Sequence, residues 1–166
     1  MKKVFAILCL VVSLLLTSCY SAADIEEAYS QGYHDGYNAP KPVDRPASGK
    51  ILAGKRGGSS KIRVTADTSE DYVVSLKDVQ GRERVVFYVR AGTTVDVDVP
   101  AVELRVYFAS GEEWYGYGMG LMFGENTYYS KDDEVIDFAK HSVEYTLYPV
   151  DYGNFSVTPS DEEEFF

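Results

Sequence analysis

The chain has 166 residues, of which 26 are acidic and 16 are Lys or Arg, so its formal net charge is −10. An acidic surface repels polyphosphate, which excludes nucleic acid as an expected partner. The two cysteines, Cys9 and Cys19, both lie near the start, so we expect neither a disulfide nor a thiolate metal site in the folded part. The length suits one domain with its own core.

Residues 1–18 are typical of a signal peptide. Lys2 and Lys3 precede an apolar run that extends from Val4 to Leu16. A helix needs about 20 apolar residues to cross the hydrocarbon core of a bilayer, and this run is shorter. The pattern therefore predicts a cleaved leader rather than a membrane-spanning anchor.

The leader ends in Leu16-Thr17-Ser18-Cys19, which resembles the lipobox of bacterial lipoproteins. The resemblance implies cleavage between Ser18 and Cys19 and acylation of Cys19, whose two or three acyl chains would hold the protein firmly to a membrane. It also implies the extracytoplasmic face of the cell envelope. Tyr20, in place of an Asp, favours the outer membrane where the cell has two. The alternative is an ordinary secretory signal with a chance cysteine.

A short helix is predicted within residues 19–37. Tyrosines recur every four residues at Tyr29, Tyr33 and Tyr37, beside a row of small residues at Ala28, Gly32 and Gly36. Glycines cost a helix roughly 1 kcal/mol each, so the small row favours close packing against a second copy of the chain or against the body of the protein itself. The alternative is an amphipathic spacer.

Residues 38–60 are predicted to form a flexible basic linker. Prolines, glycines and serines dominate this range, and it lacks helical or strand periodicity except at Ile51-Leu52-Ala53. Its basic side chains can attract anionic headgroups or wall polymers, whereas a plain soluble spacer is the alternative.

From residue 61 to residue 158 the hydrophobic period becomes two, which predicts an all-β domain. Val95, Val97 and Val99 alternate with Asp96 and Asp98, and Val85 to Arg90 is apolar on both faces. About seven to nine short strands separated by turns are typical of an antiparallel β-sandwich or a small barrel. Two of these strands are predicted around Trp114-Tyr115 and Leu121 to Phe123. Residues 159–166 are predicted to be a disordered acidic tail.

The β region carries a second resemblance. Four short segments resemble an uncharacterised bacterial β domain that is found at the C-terminus of secreted or membrane-attached proteins. The segments are Val95-Asp96-Val97-Asp98-Val99-Pro100, Trp114-Tyr115-Gly116, Phe123-Gly124 and Tyr129-Ser130-Lys131. The resemblance implies the fold and no particular activity.

Aromatic side chains on a glycine-rich stretch are the candidate ligand site. Flat rings suit stacking on sugars, and neighbouring carboxylates can accept hydrogen bonds from hydroxyl groups. The alternative is that Trp114 and Phe123 fill the core. The candidate residues are Glu113, Trp114, Tyr115, Tyr117, Tyr128 and Tyr129.

No metal, cofactor or catalytic residue is predicted. The acidic turn of Asp132, Asp133 and Glu134 could bind Ca²⁺ with Asp137 or Asp151, but the alternating ligands and central glycine of a calcium loop are missing. His141 lacks a supporting motif, and adjacent Glu112 and Glu113 would point to opposite faces of a strand.

The sequence therefore predicts a lipid-anchored, non-catalytic binding or structural accessory of the cell envelope, with a glycan or wall polymer as its ligand. Two alternatives stay open. One is a protein adaptor that assembles through the Tyr/Gly helix, and the other is a small envelope hydrolase.

Overall fold

The computed structural model describes residues 40–148 and 157–166. The leader, Cys19 and the Tyr/Gly helix with Ala28, Gly32 and Gly36 lie outside the described residues. The strands belong to one compact unit, Lys41–Phe166. Among the described residues, no helix is long and apolar enough to cross a membrane.

Ten strands, one 3₁₀ turn and one short helix make up the described fold. The 3₁₀ turn is Gly124–Asn126 and the helix α1 is Glu162–Phe165. The strands are β1 Ile51–Gly54, β2 Ser60–Ala66, β3 Asp71–Asp78, β4 Glu83–Val89, β5 Thr94–Val99, β6 Glu103–Gly111, β7 Tyr128–Asp132, β8 Ile136–Asp137, β9 Val143–Leu147 and β10 Val157–Pro159.

The strands form two sheets. The large sheet has the order β1-β4-β3-β6-β7-β10, with β8 also paired to β6, and all its pairs are antiparallel. The small sheet has the order β5-β2-β9, in which β2 pairs antiparallel with β5 and parallel with β9. The all-β prediction is confirmed. The sheets do not close into a barrel, and the parallel pair departs from the predicted antiparallel pattern because a long crossover returns the chain beside β2.

The main core lies between the two sheets. Val95, Val97 and Val99 of the small sheet are buried there, together with Val74 and Phe87 of the large sheet. Their alternation with exposed or half-buried Thr94, Asp96 and Asp98 agrees with the predicted inward and outward faces of β5. Each fully buried Val or Phe contributes roughly 1.5–3 kcal/mol, so this layer provides much of the stability.

A second core covers the opposite face of the large sheet. Every residue of β3 is buried, since Val73 packs outward while Val74 packs inward. The cover is provided by Trp114, Met122 and Phe123 in the β6–β7 connection and by Phe165 of α1. The strands predicted around Trp114 and Leu121 are absent from this described region, where only the isolated bridge between Gly116 and Met122 occurs.

The predicted linker is part of the folded unit from Lys41 onward. Strand β1 pairs with β4, and the Val43 amide donates to the carbonyl of Trp114 at 2.8 Å. The Arg90 guanidinium donates to the carbonyls of Arg45 and Pro46 at 2.6 and 2.7 Å. The prediction of a flexible linker is therefore wrong for residues 41–60. These residues are held by bonds to distant parts of the chain, and such bonds produce no hydrophobic periodicity in the local sequence.

The acidic tail is also folded rather than disordered. Strand β10 adds to the edge of β7, and Asp161 caps α1 by accepting the Glu164 amide at 2.8 Å. Phe165 is fully buried. The sequence prediction failed here because Glu164 pairs with Lys131 on the large sheet and the Phe165 ring is buried in the second core, contacts that no local pattern shows.

Candidate functional site

A groove of about 730 Å³ runs along the edge strand β9 and the segment that contains β8. Residues of the edge strand β9 and Asp132 at the end of β7 both line this groove. Its lining includes the carboxylates of Asp132, Glu134, Asp137 and Glu144, with His141, Tyr145 and Tyr148.

The groove is acidic. None of its lining residues is Lys or Arg. The Asp137 carboxylate accepts a hydrogen bond from Lys140 at 2.7 Å, and this bond holds the pKa of Asp137 below its usual range. Glu134 and Glu144 are exposed; Glu144 lies opposite Arg63 in the register of β9 on β2 and, after the hydrogen bond and charge of Asp96, its charge helps to raise the pKa of Arg63. Because both side chains are exposed, their oxygens can be reached by a ligand.

A buried pair forms the wall of the groove. The Tyr145 hydroxyl donates to Asp132 Oδ2 at 2.6 Å, while the Glu134 amide donates to Asp132 Oδ1 at 2.9 Å. Burial, followed by the bond to Asp132, raises the pKa of Tyr145. Since Asp132 is only 7% exposed and accepts both hydrogen bonds, this pair orders the start of the acidic turn.

The acidic turn does not gather into a calcium site. Asp132 faces Tyr145, whereas the carboxylate of Asp133 accepts the hydroxyl of Thr158 on β10. Among the described residues, no three His, Cys, Asp or Glu side chains are placed to hold a metal ion together. Asp151, the other suggested ligand, lies outside the described residues.

The geometry suits hydrogen-bond acceptance. Carboxylates at Glu134 and Glu144 can accept bonds from hydroxyl or ammonium groups, and the ring of Tyr148 is 44% exposed beside them. Within the part of the chain that is described, no side-chain hydroxyl forms a hydrogen bond with the His141 ring.

The structure separates the aromatic residues that the sequence grouped as a ligand site. Trp114 is 4% exposed, and its ring meets Tyr88 edge-on at 4.9 Å and Phe123 at 5.5 Å. Its assignment as a stacking platform is therefore corrected, because the large apolar ring fills the second core. This is the alternative that the sequence left open.

The other candidates divide between two environments. The Tyr117 hydroxyl donates to Glu83 of β4 at 2.7 Å while its ring packs on Phe166. The Tyr129 hydroxyl donates to Glu162 at 3.1 Å, so both side chains help to attach the C-terminal segment. Tyr115 donates to the exposed Glu113 at 2.8 Å, which raises the pKa of Tyr115. Tyr128 is 58% exposed.

Sequence reasoning missed Glu144 and Tyr148 as site residues. Glu144 lies on β9 and Tyr148 directly follows it, so both reach the groove only because β9 pairs with β2, which is a long-range contact. The one available signal was the acidic turn itself, which contributes the exposed Glu134 to the groove.

Comparison with protein-family models, with curated proteins and with solved structures finds no match.

Proposed function

We propose that the protein is a lipid-anchored, non-catalytic binding module of the cell envelope whose ligand is a wall polymer rich in hydroxyl and ammonium groups. The observation that carries this proposal is the groove whose lining holds the exposed carboxylates of Glu134 and Glu144 and contains no Lys or Arg. Carboxylates accept hydrogen bonds from both ligand groups, and charge-assisted bonds to ammonium are the stronger of the two.

The size and lining of the groove support a polymer segment rather than an ion. Ligand pockets commonly measure about 300–1,000 Å³, and this groove lies within that range. Tyr148 offers a partly exposed ring for stacking on a sugar, with Glu134 and Glu144 as hydrogen-bond acceptors. Each unit of an amino-sugar polymer carries a sugar ring for stacking together with hydroxyl and ammonium groups that donate hydrogen bonds.

The lipid anchor complements this role. Acyl chains on Cys19 would keep the β unit at the envelope surface, where wall polymers are concentrated, and the outer membrane is the expected site in a cell with two membranes. Binding would then need only modest affinity per unit, because many units of one polymer are available to the same groove.

The test compares retention of the full chain, in detergent, on chitosan and on chitin. The two polymers share a backbone but differ in free amino groups, and a mildly acidic buffer keeps those amines protonated. We expect retention on chitosan, weaker retention on chitin, and loss of both in the double variant Glu134→Gln with Glu144→Gln.

The matched control is Glu112→Gln with Glu113→Gln, which also removes two exposed carboxylates but lies beside Tyr115. It should keep full retention. If the control loses retention while the groove variant keeps it, the groove is not the site and the ligand binds at the aromatic loop.

A further inference from the structure

The outer face of the large sheet carries three cations on three adjacent strands. Lys77 of β3 pairs across with Arg105 of β6, and Lys131 of β7 pairs across with Tyr107. The ammonium of Lys77 lies 5.3 Å from the centre of the Tyr107 ring. These four residues, together with Tyr129, form what we call the basic face. In a chain of net charge −10 it is a local concentration of positive charge.

The basic face is covered by residues 160–166, with the sequence SDEEEFF, which we call the resident segment. The Glu164 carboxylate lies 2.6 Å from Lys131 Nζ, and its carbonyl accepts from Lys77 Nζ at 2.8 Å. The ring of Phe165 is fully buried and its centre lies 5.6 Å from that of Tyr129. Carboxylates therefore meet ammonium groups while phenyl rings meet phenol rings.

The Glu162 side chain adds a second polar attachment. Its Oε1 accepts the Gly120 amide at 2.6 Å and the Tyr129 hydroxyl at 3.1 Å. Phe166 packs on Tyr117 with ring centres 5.4 Å apart. The resident segment is thus recognised through both its charges and its two adjacent rings, as a bound peptide would be.

Few elements hold the resident segment in place. Helix α1 has four residues, and the three residues of β10 that precede the segment are all exposed. A single helical turn is unstable by itself, so the segment depends on its side-chain contacts. Local units of this kind open at a lower free energy than the whole domain.

Two polar atoms on the same face remain unsatisfied. Within the described residues, Arg105 Nε and Ser75 Oγ are buried without a hydrogen-bond partner. Ser75 lies on the same side of β3 as Lys77, and it pairs across with Tyr107. The resident segment therefore leaves hydrogen-bonding capacity unused, and a peptide with one more acceptor would bind this face better.

We infer that the basic face is a binding site for an acidic segment with adjacent aromatic residues in a partner protein, and that the resident segment occupies it until displaced. The covalent connection gives the resident segment an effective concentration on the order of mM, so the closed form prevails without a partner. Displacement exposes Tyr107, Tyr129 and the cations to the incoming segment.

The probe is a fluorescent peptide of sequence SDEEEFF, with both ends blocked, whose binding to the full chain is measured by anisotropy. We expect the variants Phe165→Ala with Phe166→Ala, and Glu164→Lys alone, to bind it about tenfold or more tightly than the unaltered chain. Adding Lys131→Glu to either variant should remove that gain. The peptide SDEEEAA should not bind.

Glu164→Lys keeps both rings and changes an exposed side chain, so it decides the test if the double Phe variant does not fold. The inference is overturned if the folded variants bind SDEEEFF no better than the unaltered chain. It is equally overturned if Lys131→Glu leaves the gain intact, since binding would then occur elsewhere.

Discussion

At the scale of single residues, Asp71 is the polar centre of the described unit. Its side chain is 1% exposed, and it accepts hydrogen bonds from the Tyr88 hydroxyl at 2.6 Å and the Ala91 amide at 2.7 Å. The Arg45 guanidinium, from the predicted linker, lies 3.2 Å away. A buried carboxylate with these donors joins three separate parts of the chain.

We therefore expect Asp71→Asn to lower the free energy of unfolding by about 2–3 kcal/mol, since one donor would face another donor in a buried site. Asp96→Asn is the matched control, because it breaks an exposed ion pair with Arg63 and should cost less than about 1 kcal/mol. Urea unfolding measures both. Equal losses would contradict the central role of Asp71.

Tyr129 makes stability sensitive to alkaline pH. Burial, then the charge and hydrogen bond of Glu162, raises the pKa of Tyr129 to about 12 from its ordinary value of 10.0. A raised folded-state pKa contributes stability that is present below pH about 10 and is lost as the pH rises toward 12. Urea midpoints should fall in that window.

In the variant Tyr129→Phe, the urea midpoint should fall less steeply with pH. Part of the fall should remain, because burial also raises the pKa values of Tyr88 and Tyr145. Tyrosinate absorbance followed along the same titration reports ionisation directly. An unchanged slope in the variant would show that Tyr129 has no part in it.

At the scale of elements, the entry into β2 depends on one of two adjacent glycines. Gly57 and Gly58 have φ values of +140° and +141°, in a region that L side chains rarely adopt. A Cβ on Gly58 would meet the Val99 carbonyl oxygen at 2.0 Å, whereas a Cβ on Gly57 meets no atom within 4 Å. The close approach of β2 to the end of β5 therefore requires Gly58.

Replacing each glycine by Ala separates backbone strain from the steric clash. Gly57→Ala should cost about 1 kcal/mol from strain, and Gly58→Ala about 3 kcal/mol or more because the strand must also move. Thermal or urea unfolding gives both values. Similar losses for the two variants would mean that the clash relaxes at no cost.

Some of the strands and helices could be predicted from local sequence patterns, and others could not. Strands β5 and β9 were predictable because apolar and polar residues alternate along them. Strand β1 and helix α1 were not, since their positions depend on distant partners such as Phe87 and Lys131. The groove needed the same long-range information, because it forms only where β9 and the acidic turn meet.

At the scale of the whole molecule, we propose that acyl chains on Cys19 attach the binding unit to a membrane. Cys19→Ala should transfer the protein from the membrane fraction to the soluble fraction, because acyl chains add about 0.8 kcal/mol for each buried methylene. Cys9→Ala is the matched control and should remain in the membrane. Fractionation and mass spectrometry of the N-terminus measure both, and membrane retention of Cys19→Ala would contradict the anchor.

The most direct test of the binding role is hydrogen exchange of the full chain with and without a glucosamine oligomer. The oligomer should slow exchange in residues 132–148, where the edge of β9 and the acidic turn line the groove, and leave residues 112–129 unchanged. Protection confined to residues 112–129, or no protection anywhere, would contradict the groove as the site of a wall-polymer ligand.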